Sequence, residues 1–199
     1  MSGFVYGIRT TTAALLITGV CGLLARAQAP TAPAGTTPAV GQQAPDFTLA
    51  GLDGSTVRLS DQTARGPVVL VVLRGWPGYQ CPFCTRQFGD YLSHGPALDA
   101  TGARVVFVYP GPADDLKAHA QALTADRPLP ASFTIVIDPD YTFTRAYALR
   151  WDAPQETAYP STFVLDRRGT VMFVRTSHVH GDRVPVADVL AALAALDKK

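Results

Sequence analysis

The stretch Val68-Val69-Leu70-Val71-Val72-Leu73-Arg74-Gly75-Trp76-Pro77-Gly78-Tyr79-Gln80-Cys81-Pro82-Phe83-Cys84 decides how the chain is read. Val68 to Leu73 is continuously apolar and rich in β-branched residues, the pattern of a central strand buried on both faces. A loop containing glycine and proline follows, and then two cysteines three positions apart. Pro82 suits the first position of a helix, where its missing N–H would have had no partner anyway. That places Cys81 near the N-cap. Free N–H groups and the positive helix end favour a thiolate there, and residues three apart in a helical turn lie close enough to form a disulfide.

Outward from this stretch, strands and helices alternate. Phe83, Phe88, Leu92 and Leu98 recur at roughly helical spacing, which predicts a helix from Pro82 to about Leu98, ended before Gly102. On the N-terminal side, Asp46 to Leu49 and Thr56 to Leu59 read as an extended pair turning at Asp53-Gly54. On the C-terminal side, Arg104 to Tyr109 is a strand, and Ala113 to Ala125 is a helix opened by Pro112 with Asp114-Asp115 in its first turn. Phe133 to Ile137 is a further strand and Tyr141 to Leu149 a short helix. Ser161 to Leu165 and Thr170 to Val174 form a hairpin across Arg167-Arg168-Gly169, and Val186 to Leu196 closes the chain as a helix. Parallel crossovers followed by an antiparallel hairpin imply an α/β fold, a mixed sheet flanked by helices in a single domain.

Of 199 residues, 47% are apolar and 17% charged, enough apolar surface for a core and too little charge for a disordered chain. A net charge of +1 offers no basic stripe, so no nucleic acid and no anionic membrane surface is expected as a partner. Residues 1–27 read as a signal peptide: Arg9 is the early charge, Ala13 to Leu24 is apolar but short, and Ala25-Arg26-Ala27 fits a cleavage site before Gln28. Export to a periplasmic or extracellular location follows, with no membrane association once the signal is cleaved. Val20 before Cys21 argues against a lipidated cysteine, and an uncleaved N-terminal anchor is the alternative. Residues 28–44, rich in Ala, Pro and Thr, read as a linker, and 45–199 as the folded domain.

Past the signal, Cys81 and Cys84 are the only cysteines. A disulfide across so small a loop is a poor structural staple, so the pair reads as reactive. As half of a zinc site it would need two more ligands, for which only His178 and His180 are at hand. The same residues could hold Cu(I) in a metallochaperone, whereas the redox reading needs no cofactor and no metal. Trp76, Tyr79 and Phe83 read as packing around the site, and His94 and His119 as solvent-facing helix residues. Asp138 and Asp166 read as strand-ending turn residues.

The runs Gly41-Gln42-Gln43-Ala44-Pro45-Asp46-Phe47-Thr48-Leu49 and Tyr159-Pro160-Ser161-Thr162-Phe163-Val164-Leu165-Asp166, with the Val68 strand and the cysteine motif, resemble the redoxin branch of the thioredoxin superfamily. The likeness is to peroxiredoxin-like proteins of the alkyl hydroperoxide reductase and thiol-specific antioxidant type. It implies a thioredoxin-like fold and a thiol oxidoreductase that reduces peroxides through sulfenic acid and a disulfide, regenerated by an external dithiol. A thioredoxin-like enzyme acting on protein disulfides is the alternative. Laid on the family's Pro-x-x-x-Thr-x-x-Cys run, Pro77 matches the proline, Cys84 the peroxidatic cysteine, and Cys81 takes the threonine's place. Pro160, with Tyr159 lining the groove beside it, matches the cis-proline that faces the active cysteines of thioredoxins. It also stands roughly where many relatives carry the arginine that polarises the peroxide. The resemblance thus makes Cys84 the expected sulfur for peroxide attack, with Cys81 resolving. A thioredoxin-like site reverses them, with Cys81 the exposed nucleophile and Cys84 one turn deeper. Arg74 at the strand end and Arg86 just past Cys84 are the nearest cations to polarise a peroxide, and each reads equally well as a solvated surface residue.

Overall fold

The computed structural model describes residues 1–3, 35–125 and 127–196; residues 4–27 of the predicted signal peptide and the start of the linker lie outside the described residues. The strands are β1 (Thr48–Gly51), β2 (Thr56–Arg58), β3 (Val68–Val72), β4 (Arg104–Gly111), β5 (Phe133–Pro139), β6 (Ser161–Leu165) and β7 (Val171–Thr176). They form one sheet in the order β2-β1-β5-β4-β3-β6-β7. β3 and β4 are parallel, as are β4 and β5, whereas β6 runs antiparallel to β3 and β7 antiparallel to β6. This is the expected mixed sheet, with the β1–β2 hairpin attached antiparallel to β5.

Side chains alternate across β3, and that alternation divides the core in two. Val69, Val71 and Leu73 face the layer that holds Cys81, Cys84, Phe88 and Leu98, together with Phe107, Leu123 and Val189. Val68, Leu70 and Val72 face the opposite layer, which includes Phe143, Tyr147, Phe163 and Leu165. The first layer is covered by α2 (Pro82–Ser93), α3 (Gly95–Ala100), α4 (Leu116–Thr124) and α6 (Val186–Leu196), and the second by α1 (Leu59–Arg65) and α5 (Thr142–Ala146). Every residue of β3 is buried, as a two-sided central strand requires.

Several boundaries differ from the sequence reading. The helix expected over 82–98 breaks at His94, because Pro96 has no N–H and its ring would clash with a carbonyl one turn earlier; α3 restarts with proline in its first turn. Leu59, assigned to an extended segment, opens α1 instead. The start of α1 is held by a distant carboxylate: Asp46 Oδ1 accepts the Ser60 N–H at 3.0 Å. The second helix starts at Leu116 rather than Ala113, behind a left-handed Asp115, and α5 is shorter than 141–149. Its first turn is tied by Asp138, whose carboxylate takes the N–H groups of Phe143 and Thr144 at 2.8 and 2.9 Å. Asp166 does the same in the β6–β7 turn, accepting from Arg168 and Thr170. Residues 41–44, placed in the linker, belong to the fold: Gly41, Gln42 and Ala44 exchange backbone hydrogen bonds with Val171 and Gly169, and Ala44 is buried.

Candidate active site

The site is built where β3 ends. Leu73 donates to Val108 O and Trp76 to Pro110 O, so the chain leaves the sheet along the end of β4. Between them Gly75 turns with φ +71°, and a Cβ there would run into the Pro110 carbonyl. Only glycine fits both requirements. The loop delivers Cys81 in an extended conformation to the N-cap of α2, with Pro82 at the first helical position, as the sequence indicated. Both cysteine side chains are fully buried, so Cys81 is not the exposed sulfur that a thioredoxin-like site suggested.

The two thiols are driven apart in acidity. The Cys84 thiol donates to Cys81 and holds it down to about 5, against the opposing effect of burial. The Cys84 backbone N–H, the Arg74 guanidinium and the charge of Arg183 add to this. Cys81 makes no formal capping hydrogen bond, yet it feels the helix start through that N–H. Cys84 moves the other way: burial, then the bond to Cys81 and its charge, push it well above the usual thiol range, while Arg183 and the Gly75 N–H pull back. This order of acidity favours Cys81 as the ionised sulfur, the role a thioredoxin-like site gives it, over the assignment that the Pro77 spacing suggests.

Arg74 is no surface cation. Its residue is 2% exposed, and its guanidinium donates to Glu156 Oε2 at 2.6 Å, Tyr79 Oη at 2.7 Å and the Gln155 carbonyl at 2.7 Å. Glu156 in turn takes a bond from His180 Nε2 at 2.8 Å. Burial raises the Glu156 carboxyl, but the bonds from Arg74 and His180 outweigh it and leave it below the usual range. Arg86 is exposed over the Phe83 ring, the solvated alternative in its reading. Pro77 is half-buried in the loop.

Pro160 is buried, and its carbonyl accepts the Ser177 N–H at 2.8 Å. No peptide bond among the described residues is cis, so Pro160 does not reproduce the cis-proline of its thioredoxin counterpart. Tyr159 is drawn into an aromatic cluster, stacked on Trp151 at 4.8 Å and meeting His178 at 4.7 Å. His178 is engaged with Tyr159 and His180 with Glu156, and among the described residues no three His, Cys, Asp or Glu side chains gather as metal ligands. His119, expected in solvent, stacks flat on Trp76 at 3.5 Å. Sequence reasoning also missed Glu156, Tyr109 and Arg183. Tyr109 from β4 hydrogen-bonds Gln80 at 3.0 Å, and Arg183 Nη2 lies 4.0 Å from Cys84 Sγ. No local pattern marks them, because Tyr109 and Arg183 meet the cysteines, and Glu156 meets Arg74, only through the fold.

A low pKa at Cys81 does two opposing things. Moving a thiol from about 8.5 to about 5 raises its thiolate fraction at pH 7 roughly thirty-fold, but a Brønsted slope of about 0.4–0.5 removes a similar factor in nucleophilicity. The larger gain is in leaving: a disulfide formed by Cys81 breaks readily towards it. The arrangement is a two-thiol site whose surroundings favour ionisation of Cys81 and protonation of Cys84.

A profile described as the AhpC/TSA family matches residues 40–174. The chain is 30% identical over 142 residues to the thiol-disulfide oxidoreductase ResA of Geobacillus thermodenitrificans, covering 71% of each chain. It is 26% identical over 139 residues to the peroxiredoxin Bcp of Bacillus subtilis, covering 67% of this chain and 82% of that one. The crystal structure of peroxidoxin BcpB from Mycobacterium tuberculosis superimposes with a TM-score of 0.64 at 22% identity, over 80% of this chain and 98% of the other, and shows a shared fold.

Proposed function

Because the chain belongs to the AhpC/TSA family, whose relatives make it a thiol oxidoreductase of thioredoxin-like fold, we propose that it reduces peroxides through Cys81 and Cys84. The observation that carries the mechanism is the opposed acidity of two adjoining buried thiols. The Cys81 thiolate attacks one peroxide oxygen; the O–O bond breaks, its electron pair leaves with the other oxygen, and that oxygen takes up a proton. Cys81 is then a sulfenic acid. The Cys84 thiol attacks its sulfur, expelling water and forming the Cys81–Cys84 disulfide. An external dithiol reduces that disulfide and completes the two-electron cycle.

A second reading keeps the same roles but takes a protein disulfide as oxidant. It is favoured by the charge distribution, since an ionised N-terminal cysteine and a protonated, deeper partner suit disulfide exchange, and by the similarity to ResA. Purified protein with a dithiol donor is the test. Peroxide consumption, with sulfenic acid trapped on Cys81 in Cys84→Ser and none in Cys81→Ser, supports the first reading. Insulin reduction without peroxide turnover replaces it with the second, and sulfenic acid on Cys84 in Cys81→Ser reverses the assigned roles. Export belongs to the same proposal, resting on residues 1–27; mature protein recovered outside the cytoplasm is expected to begin near Gln28.

A further inference from the structure

Arg183 stands in the loop between β7 and α6, ninety-nine positions from Cys84, with Nη2 4.0 Å from the Cys84 sulfur. Its Nε and Nη1 are shut off from solvent and have no hydrogen-bond partner. Gln87, one turn along α2 from Cys84, is 6% exposed and its Oε1 is likewise unpartnered. Arg183 and Gln87 line the same cavity of about 10 Å³ as Arg175, Asp182, Pro160 and Ser177, and Arg183 makes no ion pair with Asp182. A guanidinium sheltered from water, with donors left free, costs desolvation energy that a permanent carboxylate partner would ordinarily offset. Arg74 has such a partner in Glu156. Arg183 faces a sulfur that is charged only during part of a redox cycle.

We propose that Arg183 is the cation that carries Cys84 through its thiolate state whenever the Cys81–Cys84 disulfide is broken or formed. This rests on the reading that the pair cycles through an internal disulfide, a step common to peroxide reduction and disulfide exchange. When the thiolate of an external dithiol attacks Cys81 Sγ, the S–S bond breaks and its electron pair passes to Cys84 Sγ. The second thiol of the reductant then attacks the mixed disulfide, expels Cys81 as thiolate, and its proton passes to Cys84. Between these events Cys84 is a buried anion. The groups facing it are Cys81 on its own helix turn, the Gly75 N–H from the loop, the Tyr109 phenol from β4 and Arg183. Of these, Arg183 alone brings positive charge; Arg74 acts on Cys81.

The test uses Cys81→Ser, in which Cys84 titrates alone and free of its neighbour's charge. Thiolate absorbance is followed against pH with Arg183 present and as Arg183→Gln, Arg183→Met and Arg183→Lys. Loss of the cation is expected to raise the Cys84 midpoint by about one unit, a tenfold loss of thiolate, with Lys restoring part of it. In the chain with both cysteines, reduction of the disulfide by dithiothreitol is expected to slow about tenfold in Arg183→Gln. If the Met variant unfolds, the Gln and Lys variants give the same readouts. An unchanged midpoint together with an unchanged reduction rate overturns the proposal. Absence of peroxidase activity in the unmodified chain does not, since neither readout uses a peroxide.

Discussion

Replacing Glu156 with alanine leaves a guanidinium in the interior without its counter-charge. Arg74 is 2% exposed at its side chain and Glu156 10%, so water can approach the carboxylate side of the pair but not the cation. Breaking a buried ion pair from one side costs about 3–5 kcal/mol. Arg74 keeps its bonds to Tyr79 and the Gln155 carbonyl, which argues for the lower end, about 3 kcal/mol. For a chain of this size that is a fall in melting temperature of roughly 6–12 °C. Glu156→Gln, which retains an acceptor, is expected to lose about half as much. The double variant Arg74→Met/Glu156→Leu removes both charges and should recover most of the loss, because two apolar side chains owe no desolvation cost. The assay is thermal and urea unfolding of the reduced protein at neutral pH. A Glu156→Ala protein melting within about 1 °C of the parent, or a double variant as unstable as the sum of its singles, would refute the view of Arg74 as a dry, carboxylate-dependent cation.

Two further outcomes follow from the site. Cys81 titrates near 5 when folded and near 8.5 when unfolded, so its thiolate adds stability that is complete above the unfolded value and lost as pH falls towards 5. The folded Cys84 thiol is shifted upward out of that window, and its unfolded titration is common to parent and variant and cancels in the difference. The stability difference between the reduced parent and Cys81→Ser, from urea unfolding, should therefore widen steadily from pH 5 to about 8.5, and a flat difference would remove the thiolate from Cys81. Gly75→Ala meets both a left-handed backbone and the Pro110 carbonyl. It should lower the urea midpoint by the equivalent of about 2 kcal/mol or more, and a variant as stable as the parent would show that the loop can move aside.

Much of the fold is legible because its signals are local. The unbroken apolar run of β3 announces a strand covered on both faces, and the order of periodic segments leaves few ways to pair them. The Cys81-Pro82 step marks a helix start from one residue's chemistry. The break before α3 was equally local, written in Gly95-Pro96, and a longer helix was expected because its apolar spacing continues through Leu98. α1 is different. Its first turn depends on Asp46, fourteen residues earlier, and no periodicity in seven residues announces it.

The thiol oxidoreductase class was likewise readable from resemblance, and the place of Cys81 at the N-cap of a helix from spacing alone. Which sulfur carries the charge was not. Arg74 looked as much like a surface residue as a buried one until Glu156, eighty-two positions away, was brought against it. Arg183 carried no local mark, and Pro160 matched a motif whose cis geometry the fold does not use. Spacing along a chain specifies which groups share a turn or a strand face. The acidity of a thiol depends on burial and on charges within a few ångströms in space, and those distances exist only after distant segments have packed.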